Sequence, residues 1–257
     1  MISVIIPTYK EPDYLDLCLQ SAIKNQNKQN EIIVVVDGFY DLNKSVLDKY
    51  QDSINVLDLG ENQGLSVATN WGVYNASNDY ILIVNDDNIF PKDWDTQLKK
   101  DLSKGVVLTA NQIEPNPSFF QQFIIKNFGH TSEEFNLEIF TKEEINLRQD
   151  KTEQTGSTLP FAMYREDYLA VGGWDIMYPS PHVVDWDFFL KCEYWGLKML
   201  RTYKCNFYHF AGAATRKTPE QSLESTKKEQ NAHLFFQNKW KQPAQHNQLT
   251  NSKKLTK

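Results

Sequence analysis

The chain has 257 residues, 40% of them hydrophobic and 23% charged, which is the composition of an ordinary globular protein and excludes extensive disorder. Its net charge of −6 disfavours binding to nucleic acid, because affinity for a phosphate backbone comes from Lys and Arg side chains that displace counterions. The three cysteines, Cys18, Cys192 and Cys205, are an odd number at wide spacings, so they indicate reduced thiols rather than a disulfide framework or a zinc cluster.

The first predicted element is a strand and not a targeting segment. Residues 1–7 are apolar, but they lack a basic leader, a long apolar core and a small-residue cleavage site. No apolar stretch of the sequence approaches the roughly 20 residues that cross a bilayer. We therefore expect a soluble, cytoplasmic protein with at most a peripheral membrane contact.

In the N-terminal half, short β-branched runs alternate with helical patterns, which is typical of crossover units and a largely parallel sheet. Strands are predicted at residues 3–6, 32–36, 55–59 and 80–84. A helix with one apolar face is predicted between the first two strands, with Pro12 in its first turn.

Three of these strands run directly into polar or turn-forming groups. The groups are Pro7-Thr8-Tyr9, Asp37-Gly38 and Asn85-Asp86-Asp87. In an open parallel sheet the ligand crevice lies outside the carboxyl ends of the strands. We therefore expect the three groups to converge, although they are far apart in sequence.

The regular alternation stops at about residue 111, where a more aromatic region with Phe119, Phe120 and Phe123 begins. Residues 130–155 are highly charged and contain few apolar anchors, which predicts a mobile helix pair or a lid. A second ordered stretch follows, with a strand-like run, a helical pattern and a polar helix that ends near Trp240. The residues beyond Trp240 are predicted to be a frayed tail.

The acidic run after the fourth strand is a candidate metal site. Asp86 and Asp87 are adjacent like charges at the mouth of an apolar strand. A hard divalent cation such as Mg²⁺ or Mn²⁺ relieves their repulsion through oxygen ligands. The same residues, followed by Pro91, also fit a turn that caps a helix. The residues alone leave both interpretations open.

Two further groups are candidates for contacts with a nucleotide. Asp37 can accept a hydrogen bond from a nucleobase or ribose, and Gly38 lets the backbone turn closely around a ligand, although both also fit a simple turn. Residues 62–66 precede a predicted helix, whose N-terminus attracts phosphate. Their spacing matches neither the phosphate loop nor the dinucleotide fingerprint, which argues against a kinase or a dehydrogenase.

The C-terminal half contains a candidate base and a candidate metal ligand. Asp185 can take a proton from an attacking hydroxyl, or it can belong to a capped helix start. His209 lies in an aromatic, strand-like run, where it can ligate a metal as a neutral imidazole or stay in the core as a hydrogen-bonded residue. Arg216 and Lys217 follow shortly and can hold a diphosphate leaving group.

Taken in order, six short motifs resemble the inverting glycosyltransferase family 2, whose members have the GT-A fold. Residues 4–11 resemble its strand-one signature Pro-Thr-Tyr-Asn-Glu, residues 31–41 its strand-two segment, and residues 62–70 its Asn-x-Gly segment. Asn85-Asp86-Asp87 stands where the family carries its Asp-x-Asp or Asp-Asp motif. Gly172-Gly173-Trp174-Asp175 resembles its Gly-Gly-Phe-Asp acceptor turn, and Asp185-Trp186-Asp187 its Glu-Asp-x-Asp motif.

The resemblance implies an α/β fold of GT-A, Rossmann-like type, with a mostly parallel central sheet flanked by helices and an irregular acceptor-side region. Residues 1–110 would form the nucleotide-sugar-binding half and residues 111–218 the acceptor and catalytic half of the same domain. Residues 219–257 would form a C-terminal helix and a flexible tail.

The resemblance also implies a role for each motif. It assigns the metal, Mn²⁺ or Mg²⁺, to Asp87 and His209, and the general base to Asp185. It implies that a nucleotide-sugar donor, with UDP as the default and dTDP or GDP open, contacts Pro7, Thr8, Tyr9, Glu11, Asp37, Asn62, Gly64, Asn85, Asp86 and Arg216. The expected reaction belongs to polysaccharide biosynthesis and adds a sugar to a hydroxyl of a glycan or lipid-linked acceptor.

Several positions depart from the family pattern. Val36 and Phe39 replace one Asp and the Ser of the usual Asp-Asp-Gly-Ser, Thr69 stands where many members carry arginine, and Val184 replaces the Glu before the base. These departures leave open a noncatalytic module that binds a nucleotide sugar. A sugar nucleotidyltransferase shares strand-end carboxylates, but residues 7–12 lack the glycine-rich loop of such enzymes.

Overall fold

The computed structural model describes residues 1–117, 122–211 and 219–244. Their strands are β1 (Ile2–Thr8), β2 (Glu31–Val36), β3 (Asn55–Asp58), β4 (Tyr80–Ile83), β5 (Asn88–Ile89), β6 (Val106–Glu114), β7 (Ile124–Ile125), β8 (Thr152–Gln154), β9 (Phe161–Tyr164) and β10 (Lys198–His209). Their α-helices are α1 (Pro12–Lys24), α2 (Tyr40–Lys49), α3 (Leu65–Asn75), α4 (Trp94–Lys99), α5 (Leu137–Glu144), α6 (Arg165–Val171), α7 (Val184–Tyr194) and α8 (Pro219–Trp240).

All strands belong to one sheet, in the order β3-β2-β1-β4-β9-β6-β10-β5, with β7 and β8 beside β6 and β10. The first four strands pair in parallel, and β6 pairs in parallel with β10. β9 runs antiparallel between β4 and β6, and β5 and β8 run antiparallel to β10. The predicted α/β fold, with a mostly parallel sheet flanked by helices, is confirmed.

The four predicted N-terminal strands are confirmed with shifts of one or two residues at their ends. Every residue of β1 is buried, as expected for a central parallel strand that is covered on both faces. Helix α1 begins at Pro12. Proline has no backbone N–H, and it is tolerated in the first turn because an N–H there would have no acceptor within the helix.

Helices cover both faces of the sheet, and alternate residues of each central strand face opposite cores. Val4 and Ile6 pack in one core with Leu15 of α1 and Trp94 of α4. Ile5 packs in the other core with residues of α3, α6, α7 and α8. In the described ranges, none of the helices combines the length and the apolar character that spanning a bilayer requires.

The structure differs from the mobile helix pair or lid that was predicted for residues 130–155. This stretch contains α5, a single turn of 3-10 helix and β8, which pairs with β10. The prediction failed because the apolar anchors are few but large: Phe135, Leu137 and Phe140 are buried against Tyr208 of β10. Glu144 adds a polar anchor, since its fully buried carboxylate accepts hydrogen bonds from Arg148 and from the backbone N–H of Asn206.

We expect Glu144→Ala to lower the free energy of unfolding by about 3 kcal/mol, because it removes the carboxylate that pairs with Arg148 and leaves two buried donors of Asn206 without an acceptor. The matched control is Glu143→Ala on the same helix. Its exposed ion pair with Lys126 is expected to contribute less than about 1 kcal/mol. Urea denaturation of both variants tests the anchor, and equal midpoints would contradict it.

Candidate active site

The carboxyl ends of β1, β2 and β4 meet at one edge of the sheet. Thr8 and Val36 are register partners, and the backbone N–H of Asp37 donates to the carbonyl oxygen of Thr8 at 2.9 Å. The Thr8 hydroxyl donates to Oδ2 of Asp86 at 2.7 Å. The convergence of the three predicted strand-end groups is therefore observed.

Asp37 holds the loop that precedes α3. Its carboxylate accepts hydrogen bonds from the backbone N–H of Gln63 at 2.6 Å and of Gly64 at 3.0 Å. Burial raises the pKa of Asp37, and these two hydrogen bonds oppose that rise. Gly38, at φ +84°, is required by the same loop, because an added Cβ would lie 3.0 Å from the backbone nitrogen of Asn62. Sequence analysis missed this contact between two predicted nucleotide-binding segments.

Asp86 and Asp87 lie side by side at the end of β4. Burial and the neighbouring charge of Asp87 together raise the pKa of Asp86 to about 7, although the hydrogen bond from Thr8 opposes the rise. Oδ1 of Asp87 is buried and accepts no hydrogen bond from the described residues. A buried carboxylate oxygen without a donor is costly unless something else satisfies it.

His209 faces Asp87 across the junction of β5 and β10. His209 is the register partner of Asn88, and its Nε2 lies 3.6 Å from Oδ2 of Asp87. Its Nδ1 lies 2.9 Å from Oε1 of Glu114, which ends β6. Burial lowers the pKa of His209, but the carboxylates of Asp87 and Glu114 outweigh it and raise that pKa overall.

Glu114 is a site residue that sequence analysis missed. The available signal was its place at the carboxyl end of a parallel strand, the same criterion that selected Asp37 and the acidic run. A carboxylate on Nδ1 orients the imidazole and leaves Nε2 to face Asp87, which is the usual arrangement behind a metal-ligating histidine.

Two side chains of the site, those of Asp87 and His209, can contact a cation, and they do not surround it completely. Among the described residues, no group of three or more His, Cys, Asp or Glu side chains is arranged to hold a metal. The donor set of Asp87 and His209 fits a hard divalent ion that takes its remaining oxygens from a ligand. The unsatisfied Oδ1 of Asp87 supports the same fit.

An aromatic pair stands beside this edge. The rings of Tyr9 and Phe39 meet edge to face at 5.1 Å, and Nζ of Lys10 lies 4.1 Å from the centroid of Phe39. Phe39 is 49% exposed and adopts φ 58°, a left-handed conformation that is uncommon for a bulky residue.

Asp185 lies in the first turn of α7. The residue is partly exposed, and desolvation of its carboxylate raises the pKa to about 6. In the described ranges no hydrogen bond or ion pair joins it to Thr8, Asp86 or His209. Val183, which precedes the helix, has φ 54°, a genuine outlier for a β-branched residue.

The remaining predicted residues occupy the same edge or lie outside the described ranges. Pro7 is buried in β1, and Glu11 precedes α1, where its charge contributes to the raised pKa of Asp86. Asn62 is exposed, while the carbonyl oxygen of Asn85 accepts the backbone N–H of Asn88 at 3.2 Å. Arg216 and Lys217 lie outside the described residues, as do Phe119 and Phe120.

The family model for glycosyl transferase family 2 matches residues 3–172, about two thirds of the chain. The chain belongs to glycosyltransferase family 2. The match includes β1 to β4 and the acidic run, whereas Asp185 and His209 lie beyond its end.

Individual relatives agree with the family. The glycosyltransferase GlyA of Streptococcus pneumoniae is 35% identical over 122 residues, which cover 44% of this chain and 18% of GlyA. The chain spans half or less of the length of three further curated glycosyltransferases that it matches.

Solved structures support the GT-A fold of the family. Staphylococcus aureus TarS 1–349 in complex with UDP matches with a TM-score of 0.58 and 15% identity over 94% of this chain and 72% of TarS 1–349. The mannosyltransferase PcManGT of Pyrobaculum calidifontis, in complex with GDP-Man and Mn²⁺, matches with a TM-score of 0.64 and 14% identity over 95% of this chain and 65% of PcManGT.

Proposed function

We propose that this family 2 protein is an inverting, metal-dependent glycosyltransferase that moves a sugar from a nucleotide diphosphate sugar to a hydroxyl of a glycan or lipid-linked acceptor. The observation that carries the proposal is the arrangement at the end of β4. Oδ1 of Asp87 is buried and unsatisfied, and Oδ2 of the same carboxylate faces His209, whose ring Glu114 orients. A second carboxylate, that of Asp86, lies beside it.

Asp87 and His209 would hold Mn²⁺ or Mg²⁺, which supplies positive charge next to a departing diphosphate. Asp86, fixed by Thr8, would face the ribose or the metal. The structure of PcManGT contains GDP-Man and that of TarS 1–349 contains UDP. These ligands support the proposal that a nucleoside diphosphate group binds here. UDP is the nucleoside diphosphate that we expect by default, and Tyr9 and the loop held by Asp37 would border its nucleobase.

Asp185 would act as the general base. Its carboxylate would take the proton from the acceptor hydroxyl while that oxygen forms a bond to the anomeric carbon. The bond from the anomeric carbon to the diphosphate oxygen breaks at the same time on the opposite face, and its electron pair leaves with the nucleoside diphosphate. A carboxylate in the first turn of a helix is well placed for this role, because the helix N-terminus stabilises its charged form.

The rate is expected to depend on pH through Asp185. A base must be deprotonated to act, so with a pKa of about 6 the active fraction rises as the pH rises through that value. We expect kcat/KM to fall by about tenfold for each unit by which the pH drops below this pKa, and to reach a plateau as the pH rises above it. A pH profile at saturating Mn²⁺ measures the acid limb. A rate that is flat from pH 5 to pH 8 would argue against this base.

A screen of nucleotide sugars tests the proposed function. UDP-, dTDP- and GDP-sugars are added with Mn²⁺ or Mg²⁺, and the melting temperature and the release of nucleoside diphosphate are measured. We expect at least one nucleotide to raise the melting temperature only when the metal is present. Stabilisation by none of them would sink the proposal. Stabilisation without transfer to any acceptor would favour the noncatalytic binding module.

A further inference from the structure

Helix α7, which carries the proposed base Asp185, is held by helix α8 at Asp187, two residues beyond that base. Asp187 is fully buried, and Nζ of Lys239 lies 2.7 Å from its Oδ1. The indole N–H of Trp240 donates to the same oxygen at 2.7 Å, and the hydroxyl of Tyr178 donates to it at 3.2 Å. Three donors therefore converge on one carboxylate oxygen in the first turn of α7.

Lys239 also joins this carboxylate to the turn that resembles the family's acceptor turn. Its Nζ lies 2.7 Å from Oδ2 of Asp175 as well as 2.7 Å from Asp187. Lys191 of α7 donates to the carbonyl oxygen of Gly173 in the same turn. One lysine of α8 thus fixes the distance between the helix that carries Asp185 and the turn at residues 172–175.

Helix α8 also contacts residues that flank Asp185 in sequence, His182 before it and Trp186 after it. Nε2 of His182 lies 3.2 Å from the hydroxyl of Ser225, and the ring of Trp186 meets that of His233 edge to face at 5.9 Å. Asp185 is therefore bracketed by contacts of α8 on both sides in sequence. These contacts surround Val183, whose left-handed backbone needs such support.

We propose that α8 is a positioning element of the catalytic site, and that Lys239, through Asp187 and Asp175, sets the orientation of the base Asp185 toward the acceptor. Lys239 acts through Asp187 and touches neither reactant. The inference rests on the proposed transferase function and on Asp185 as its base.

The test compares Lys239→Met, Lys239→Arg and Trp240→Phe with the wild-type protein in the transfer assay. Trp240→Phe removes the donor to Asp187 and keeps an aromatic ring, although a smaller one, beside Tyr194 and Phe236. The matched control is Lys228→Met on the same helix, which removes an exposed cation that pairs with Glu224 at 2.7 Å. The readouts are kcat, KM for the donor, and the rise in melting temperature that the donor with Mn²⁺ produces.

We expect Lys239→Met to lower kcat by about 10- to 100-fold, because a small misplacement of a reacting group costs that much. KM for the donor and the donor-induced melting shift should stay at their wild-type values. Lys239→Arg should recover most of kcat, Trp240→Phe should lose part of it, and Lys228→Met should lose none. This pattern separates positioning from a general loss of structure.

Two results would overturn the inference. The first is a wild-type kcat in Lys239→Met, and the second is a parallel loss of kcat, donor affinity and melting temperature that Lys239→Arg does not recover. If Lys239→Met does not fold, the kcat of Trp240→Phe decides between the same outcomes. A wild-type protein that transfers no sugar would instead show that the proposed function is wrong, and the positioning role would fall with it.

Discussion

Replacing Asp87 by Asn is expected to lower the turnover number by about 100- to 1,000-fold, the usual cost of removing one fixed electrostatic contact to a developing charge. The amide keeps the shape of the side chain but removes its negative charge, and it places an N–H₂ group toward either the cation or Nε2 of His209. Among the described residues we propose two metal ligands, Asp87 and His209, so this substitution would remove one of them.

The measurement is a transfer assay over a range of Mn²⁺ concentrations, together with melting curves in the presence of the donor and Mn²⁺. We expect the variant to lose the metal-dependent rise in melting temperature. Asp48→Asn is the control, because that exposed carboxylate pairs with Lys44 on the surface of α2. A variant that keeps wild-type turnover at low Mn²⁺ would show that Asp87 does not hold the metal.

Replacing Asp185 by Asn is expected to reduce kcat by about 100- to 10,000-fold, the range that a general base contributes. The amide cannot accept the proton of the acceptor hydroxyl. It preserves the volume of the side chain, and the contacts of Asp187 with Lys239 and Trp240 are untouched. Binding of the donor should therefore persist, and the acid limb of the pH profile should disappear from the residual rate.

Donor binding is measured for this variant by the melting shift, and turnover by release of nucleoside diphosphate with and without acceptor. Glu220→Gln at the start of α8 serves as a control for the loss of one exposed carboxylate. Near-normal turnover with intact donor binding would rule out Asp185 as the base. Loss of donor binding as well would mean that the substitution disturbs more than proton transfer.

The N-terminal half could be predicted from the sequence because local patterns there carry the information. Ile32–Val36 is apolar throughout and must be covered on both faces, and the polar groups that end β1, β2 and β4 then share an edge by topology alone. The acidic run and its neighbour Thr8 were found in this way.

The contacts that make this edge a site depend on long-range packing, which no local pattern reports. Glu114 and His209 are 95 residues apart and meet only because β6 and β10 are neighbours in the sheet. The anchor of α5 was missed for the same reason, since Glu144 finds its partner Asn206 on β10 after a separation of 62 residues. A count of apolar residues could not show that a buried carboxylate would hold this segment.

The reversed strand β9 has a consequence for how such a protein can change its substrates over evolution. Phe161 is the register partner of Ile83, so the loop that leads into β9 arrives at the same edge where β1 and β4 end. The crevice is thus bordered by the ends of β1, β2 and β4, which carry the proposed donor-binding residues, and by the entrance of β9. Under the proposed function, substitutions or insertions before Phe161 would reshape the acceptor side while the register of β1, β2 and β4 stays intact, so that acceptor preference could diverge under an unchanged donor chemistry.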